Sequence, residues 1–263
     1  GSGHTLTGGS ITLDSRTGVT AKNFKIENGM VYIFRGSRNT VTGNTINMQR
    51  ETAIAAYSSW GNTISGNTLT GSGCVCGTHY GIYFHSIFGY GWTNGNLVSG
   101  NKIKNFFVGI GIINARQNTF TENTLSNFCD VSTYYPPYIT SGYNYFYRNN
   151  FLVNGIYAGS GANEFFYQPY PVGGNYWARA AGCSDRNLDG FCDSTVYIGP
   201  EAARRMDALP WIVQDGWQDE DNDGYNKTRD CNDADPSLNI YPMLEIPEIP
   251  YNGVDENCNG MAD

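Results

Sequence analysis

The stretch NTVTGNTI from Asn39 returns as NTISGNTL from Asn62, NLVSGNKI from Asn96, NTFTENTL from Asn118 and NYFYRNNF from Asn144. A weaker copy, VTAKNFKI, occupies 19–26. Each copy reads Asn, any residue, apolar, two residues, Asn, any residue, apolar. With the second Asn taken as Asn23, Asn44, Asn67, Asn101, Asn123 and Asn149, the intervals are 21, 23, 34, 22 and 26 residues. Self-similarity at such a period marks a repeat architecture. Between the copies lie GIYF from Gly81, GIGI from Gly109 and GIYA from Gly155, which alternate at period two as strands do. A helix would need apolar residues at i, i+3, i+4 and i+7 over ten or more positions, and these segments lack them. Three short strands per coil, stacked with Val, Ile, Leu and Phe inward, give a parallel β-solenoid. The fold expected is therefore all-β, a parallel β-solenoid over 1–180.

The repeated Asn has a physical task. Asn tolerates left-handed backbone angles in tight turns, and its amide can bond the same Asn one coil away. With coils about 4.8 Å apart, a ladder of side-chain amides forms at that corner. The 34-residue interval implies an insertion within 70–95 that loops off the body.

Charge divides the chain. Residues 1–184 carry 11 basic and 6 acidic side chains, and residues 185–263 carry 5 basic and 18 acidic ones, within a net charge of -8. No clustered basic stripe suits nucleic acid, and no apolar run is long enough to span a bilayer. Concentrated carboxylates repel unless a cation neutralises them. The acidic third holds three loops with one spacing. The first has Asp185, Asn187 and Asp189 followed by Gly190, with Asp193 at the ninth position. The second has Asp219, Asp221 and Asp223 followed by Gly224, with Tyr225 seventh and Asp230 twelfth. The third has Asp255, Asn257 and Asn259 followed by Gly260, with Asp263 ninth. Oxygens at positions 1, 3 and 5 converge because Gly at position 6 permits the sharp turn. An all-oxygen donor set without His suits Ca²⁺ rather than Zn²⁺ or Cu²⁺, and two to three ions are expected. Residues 181–215 are expected to form a connector carrying the first loop and one short helix over 200–209, with 216–263 as a calcium-binding module.

The repeats over roughly 10–177 resemble those of right-handed parallel β-helix proteins of the pectate-lyase-like class, closest to the NosD-type group. That group includes carbohydrate-binding and sugar-hydrolase domains. GGNYW from Gly173, followed by the Asp-rich loop, resembles the end of NosD-type chains. DEDNDGY from Asp219, DCNDADP from Asp230 and NGVDENCNG from Asn252 resemble the MopE-type metal-binding repeat. This second family is often labelled copper-binding, although the residues present here are calcium ligands. The resemblance implies a Glu ahead of the final loop, which Glu248 matches by spacing and Glu245 could replace. Asp233 and Asp235 are expected to serve the third loop.

Seven cysteines beside calcium loops suggest an oxidising compartment, and an extracellular or cell-surface location. Cys183 is expected to pair with Cys192, Cys231 with Cys258, and Cys129 with Cys74 or Cys76. Glycoside hydrolysis needs two nearby carboxyl groups. Glu51 and Asp130 share a column but stand three coils apart, about 14 Å, so no catalytic residue is assigned. Tyr143, Tyr145 and Tyr147 alternate to one face, where they could stack on a glycan or form an interface. The N-terminal coil has no helical cap over its strand edge, which points to copies of the same chain as partners. The functional expectation is a calcium-stabilised structural β-helix that self-assembles, with polysaccharide binding or cleavage as the alternative.

Overall fold

The computed structural model describes residues 4–49, 51–73, 79–134, 142–153, 156–158, 163–198, 205–230 and 232–236. Three parallel sheets run the length of the body. The first comprises His4–Thr7, Phe24–Glu27, Thr45–Asn47, Thr68–Thr70, Lys102–Lys104, Thr124–Ser126, Asn150–Phe151 and Tyr176–Trp177. The second comprises Ile11–Asp14, Val31–Phe34, Ile54–Tyr57, Tyr80–His85, Val108–Ile113, Cys129–Tyr134 and Ile156–Ala158. The third runs Thr20–Lys22, Thr40–Thr42, Thr63–Ser65, Leu97–Ser99, Thr119–Thr121 and Tyr145–Tyr147. Every neighbouring strand comes from the next coil, so this is the parallel β-helix expected from the repeat. Each coil contributes one inward residue per short strand. In the first sheet the inward column is Leu6, Ile26, Ile46, Leu69, Ile103, Leu125, Phe151 and Trp177.

The third sheet's column widens along the chain from Ala21 through Val41, Ile64 and Val98 to Phe120 and Phe146. Phe120 and Phe146 lie with centroids 4.6 Å apart and planes 6° from parallel. Phe166 continues the stack at 5.0 Å. Stacking equal side chains coil on coil buries apolar surface without gaps, which is what stabilises a fold that lacks long-range sequence variety.

Two Asn ladders run along the turns. One links Asn39, Asn62, Asn96, Asn118 and Asn144. The other links Asn44, Asn67, Asn101, Asn123, Asn149 and Asn175. A typical rung, Asn101, donates its backbone N–H (3.0 Å) and an Nδ2 hydrogen (2.9 Å) to Asn123 Oδ1. It also donates from Nδ2 to the Ile64 carbonyl one coil back, at 2.9 Å. The ladder differs from the sequence reading in one respect. Phe24, not Asn23, stands in register with Asn44, and its N–H donates to Asn44 Oδ1. Asn23 instead aligns with Gly43, and both have positive φ (60° and 64°). The left-handed residue is thus the one before each rung from Asn44 to Asn149, a place filled by Gly43, Gly66 and Gly100 and also by Glu122 and Arg148. The ladder Asn supplies hydrogen bonds, and its predecessor supplies the turn.

The Asn-to-Asn bonds of each ladder all run toward the C-terminus, so the last rung needs a further acceptor, best one that brings no donors of its own. A carboxylate meets that requirement. Asn144 donates to Glu164 (2.9 and 3.2 Å) and Asn175 to Asp207 (2.7 and 3.3 Å). A shorter run from the Phe106 N–H through Asn127 ends on Asp130. Glu164, Asp207 and Asp130 are therefore ladder ends.

Asp207 lies in Arg205–Asp207, a strand that pairs antiparallel with Val196–Ile198. This corrects the helix expected over 200–209: 205–207 is extended, because the carboxylate must reach the ladder while the strand closes the solenoid's end. Asp207 is fully buried and accepts from the Trp177 indole N–H at 2.8 Å and from the Leu209 N–H at 3.2 Å. Gly174 packs so close that a Cβ there would overlap the carboxylate. Burial pushes the Asp207 carboxyl up to about 7, against hydrogen bonds from Trp177 and Asn175 that pull it down. A carboxyl raised in the folded state binds its proton more tightly there than in the unfolded chain. Its stabilisation is present below the unfolded value of about 3.9 and is lost as pH rises to about 7. In urea titrations, the wild-type midpoint falls relative to Asp207→Asn between pH 4 and pH 8. A constant difference between the two proteins contradicts this assignment.

Candidate metal centre

Beyond Trp177 the chain folds into a cap with a small core of its own. Phe191, Trp211 and Trp217 pack together, with Tyr176 and Leu209 against them. Trp211 N–H donates to the Asn175 carbonyl at 3.0 Å and Gly174 N–H to the Leu209 carbonyl at 2.8 Å, so the cap extends the solenoid's hydrogen bonding. Asn150 and Asp215 bond each other reciprocally, at 2.6 and 3.1 Å. The two acidic loops that the structure describes spring from this cap.

Their backbones match position by position. At position 4, Leu188 and Asn222 have φ of 57° and 62°; at position 6, Gly190 and Gly224 have φ of 86° and 97°. In the first loop Asp185 accepts the N–H groups of Asp189 (3.1 Å) and Gly190 (2.9 Å), and Asp189 accepts that of Phe191 (3.0 Å). In the second, Asp219 accepts from Asp223 (3.2 Å) and Gly224 (3.1 Å), and Asp223 from the Tyr225 N–H (2.8 Å). The spacing DxNxDG or DxDxDG forces this: the first carboxylate closes the turn, and Gly absorbs the positive φ. Gly190 lies against Thr228, where a Cβ would overlap the hydroxyl, so the first loop leans on the segment that follows the second.

The loops differ in what their carboxylates do. Around the second loop, Asp219, Asp221 and Asp223 present oxygens that all lie within 4.8 Å of one another. Asp221 Oδ2, Asp223 Oδ2 and Asp230 Oδ2 are occluded from solvent and have no hydrogen-bond partner. Burial raises the Asp221 carboxyl above the ordinary carboxylate range, with Asp223, Asp219 and Asp233 adding to it. Asp230 is raised by burial and by Asp223, Asp221 and Asp233. Orphaned carboxylate oxygens turned toward one another are costly, and a cation between them removes the cost. Asp233 accepts the Glu220 N–H at 3.0 Å, so it stands beside the second loop; the third loop, which it is expected to serve, lies outside the described residues. Asp235 is half-buried and donates its N–H to the Asn232 carbonyl at 2.8 Å.

In the first loop the side chains satisfy one another. Asn187 donates to Asp189 Oδ2 at 3.0 Å, and Asp193 accepts the Arg186 N–H at 3.2 Å with the guanidinium 3.9 Å away. Asp185, Asp189 and Asp193 are not brought together as a three-carboxylate group among the described residues. The Cys183–Cys192 disulfide brackets this loop as expected, with Cα atoms 5.6 Å apart. The third loop (Asp255, Asn257, Asn259, Asp263), Glu248, Cys231 and Cys258 lie outside the described residues, as do Cys74 and Cys76, the expected partners of Cys129.

Tyr145 and Tyr147 face outward around the inward Phe146, as their alternation implies. Two of the three expected platform rings are covered: Phe165 stacks on Tyr145 at 5.1 Å and on Tyr143 at 6.1 Å. Sequence reasoning passed over the more exposed aromatics at 86–92, whose irregular loop has no periodicity to expose it.

The donor set of the second loop tests the metal. It contains carboxylate oxygens alone, and no other group of three His, Cys, Asp or Glu side chains is gathered among the described residues. Copper favours imidazole, thiolate or thioether ligands, and this cluster provides none. No helix among the described residues is long and apolar enough to cross a membrane. A family model described as Cu-binding MopE, a metal-binding motif, matches residues 230–263. Its match begins at Asp230, the twelfth position of the second loop, so the chain's C-terminal part carries a metal-binding motif. No curated protein matches the chain. The model described as periplasmic copper-binding protein (NosD) matches residues 5–182, the β-helix itself, and the chain belongs to that family.

Proposed function

We propose that this chain is an extracytoplasmic structural β-helix whose C-terminal cap is held in shape by calcium. The observation that carries the reading is the trio of occluded, partnerless oxygens on Asp221, Asp223 and Asp230. They need a hard cation, and the loop supplies position 1, 3 and 5 carboxylates in calcium-loop order with a carboxylate at position 12. The Cys183–Cys192 disulfide and the periplasmic description of the family favour a compartment outside the cytoplasm, where calcium is plentiful. The copper named in both family descriptions is not the ion these side chains favour.

Isothermal titration calorimetry on chelator-treated protein tests the reading. Calcium is expected to bind with a dissociation constant of roughly 10⁻⁴ to 10⁻³ M, the range of extracellular calcium modules. Cu²⁺ is expected to leave the calcium isotherm unchanged. Loss of calcium binding to stoichiometric Cu²⁺, or no calcium heat at all, sinks the proposal. Assembly of copies into a filament is the wider form of this reading. Sedimentation velocity in millimolar calcium decides it, and a concentration-independent monomer confines the function to the calcium-held β-helix.

A further inference from the structure

The chain between Tyr80–His85 and Leu97–Ser99 departs from the solenoid as a loop with fixed footings. Thr93 N–H donates to Ser86 Oγ at 2.7 Å, Thr93 Oγ1 to the His85 carbonyl at 2.7 Å, and Ile87 N–H to Ser58 Oγ at 3.0 Å. Between the footings the Tyr90 N–H closes a turn onto the Ile87 carbonyl at 3.1 Å, with Gly89 at φ 87°. Phe88 stands at the apex of that turn with a relative exposure of 103%, so a braced loop holds an apolar ring wholly in water. Tyr90 and Trp92, on the returning arm, are 53% and 36% exposed. Packing of the solenoid does not require these rings to be displayed, and such a display marks an interaction surface.

The corner beside the loop is basic. Thr17, Ser37, Trp60, Asn94 and Arg116 are bridged coil to coil along it. Four steps of about 4.8 Å make this strip about 19 Å long. Arg16, Arg35 and Arg38 lie within two residues of Thr17 or Ser37, so stacking gathers four arginines that the sequence keeps far apart. Two of them back the loop's rings: the Arg35 guanidinium lies 5.8 Å from the Tyr90 centroid and that of Arg116 4.2 Å from the Trp92 centroid. Arg16 and Arg38 are exposed, and Arg38 lies against Gly61, the neighbour of Trp60. Asp14 bonds Arg35 at 3.2 Å and offsets one of the four charges.

We infer that this loop and corner dock on an anionic lipid bilayer, with Phe88 entering the membrane surface and the arginines against lipid phosphates. The order of groups along the loop carries the argument. The apolar ring is furthest from the footings, Tyr and Trp come next, and guanidinium groups lie behind them. From its core outward a bilayer presents hydrocarbon, then an interface that Tyr and Trp favour, then charged headgroups, which is the same order. A convex turn gives a second protein chain little flat area to cover, whereas a fluid bilayer closes around it. Charge favours the same pose. Residues 1–184 carry 11 basic and 6 acidic side chains and 185–263 carry 5 and 18, so an anionic surface attracts the early coils and repels the acidic cap beyond the last coil. The contact uses none of the acidic loops, so it stands apart from the calcium reading.

Co-sedimentation with vesicles of phosphatidylglycerol mixed into phosphatidylcholine tests this, at low salt and in EDTA, which removes calcium bridges between lipid and cap. The protein is expected to pellet with the mixed vesicles, to stay in solution with phosphatidylcholine alone, and to be released by concentrated NaCl. Arg38→Glu, at an exposed position, and Phe88→Ser, at a fully solvated one, are each expected to weaken binding by about tenfold or more while melting as wild type does. No pelleting with the mixed vesicles, equal pelleting with phosphatidylcholine alone, or wild-type binding in either variant overturns the inference. Self-association in place of vesicle binding, abolished by Phe88→Ser, also overturns it and assigns the loop to a second copy. None of these outcomes bears on whether Asp221, Asp223 and Asp230 hold calcium.

Discussion

Saturating calcium raises the melting midpoint of the chelator-treated protein by about 5–10 °C. A ligand present at about 100 times its dissociation constant stabilises the folded state by about 2.7 kcal/mol, and in a chain of this size each kcal/mol moves the midpoint by about 2–4 °C. The second loop also specifies how a substitution behaves. Asp223→Asn keeps the acceptor for the Tyr225 N–H and replaces the orphaned Oδ2 by an Nδ2 donor facing Asp221 and Asp230. In EDTA the variant therefore melts above wild type, since one repelling charge has become a hydrogen-bond donor. In calcium it melts below, since the cation has lost a ligand. This crossing separates a cation cage from an acidic turn, for which the sign is the same in both buffers. Acidification adds a second signature. The Asp221 and Asp230 carboxyls are raised in the folded state, so EDTA-treated protein gains stability as pH falls toward the unfolded carboxylate range, and calcium suppresses that gain. Melting curves followed by Trp211 and Trp217 fluorescence, at pH 5 and 8 with and without calcium, read all of these effects.

The solenoid was legible because stacking makes sequence periodic. An inward column such as Ile46, Leu69, Ile103 and Leu125 and a ladder such as Asn44, Asn67, Asn101 and Asn123 repeat in the chain because they repeat in space. The calcium-loop spacing was legible for a local reason: Asp219 and Gly224 close the turn within six residues. What escaped was whatever depends on distant segments. Asn23 carries the right residue in the wrong column, because register is set by pairing with Thr42 and Gly43 rather than by identity. Asp207 reads as one more acid in an acidic segment until Asn175 and Trp177 are brought to it across some thirty residues. For the same reason 205–207 looked helical: Arg205, Met206 and Asp207 have no local feature that announces a strand, and Val196–Ile198 imposes it. The two loops share a spacing and a backbone, yet they differ at position 3: Asn187 donates to Asp189 in the first, whereas Asp221 adds a third carboxylate to Asp219 and Asp223 in the second.

Asn123→Ala is expected to cost about 3–5 kcal/mol. The Asn123 side chain accepts the Asn101 N–H (3.0 Å) and an Asn101 Nδ2 hydrogen (2.9 Å). It donates to the Val98 carbonyl (2.9 Å), the Thr121 carbonyl (3.0 Å) and Asn149 Oδ1 (2.9 Å). The residue is fully buried, so truncation leaves several of these groups without water to replace their partner. Asn123→Asp is a sharper probe, because it preserves shape and the Oδ1 acceptor while removing both donors. It sets a buried carboxylate against Val98 O, Thr121 O and Asn149 Oδ1, all acceptors, so it is at least as damaging near neutral pH and partly rescued by acid. At the ladder's end the exchange runs the other way. Asp207→Asn introduces donors where every neighbour, namely the Asn175, Trp177 and Leu209 N–H groups, is already a donor, but it relieves a buried charge, so its cost is smaller and shrinks further as pH rises. Urea midpoints for the three variants at pH 5 and 8 check the pattern. Equal losses for Asn123→Asp and Asp207→Asn at both pH values would mean that the ladders have no direction. Opposite pH trends show that the Asn-to-Asn bonds run toward the C-terminus and that carboxylates belong only where the stack stops.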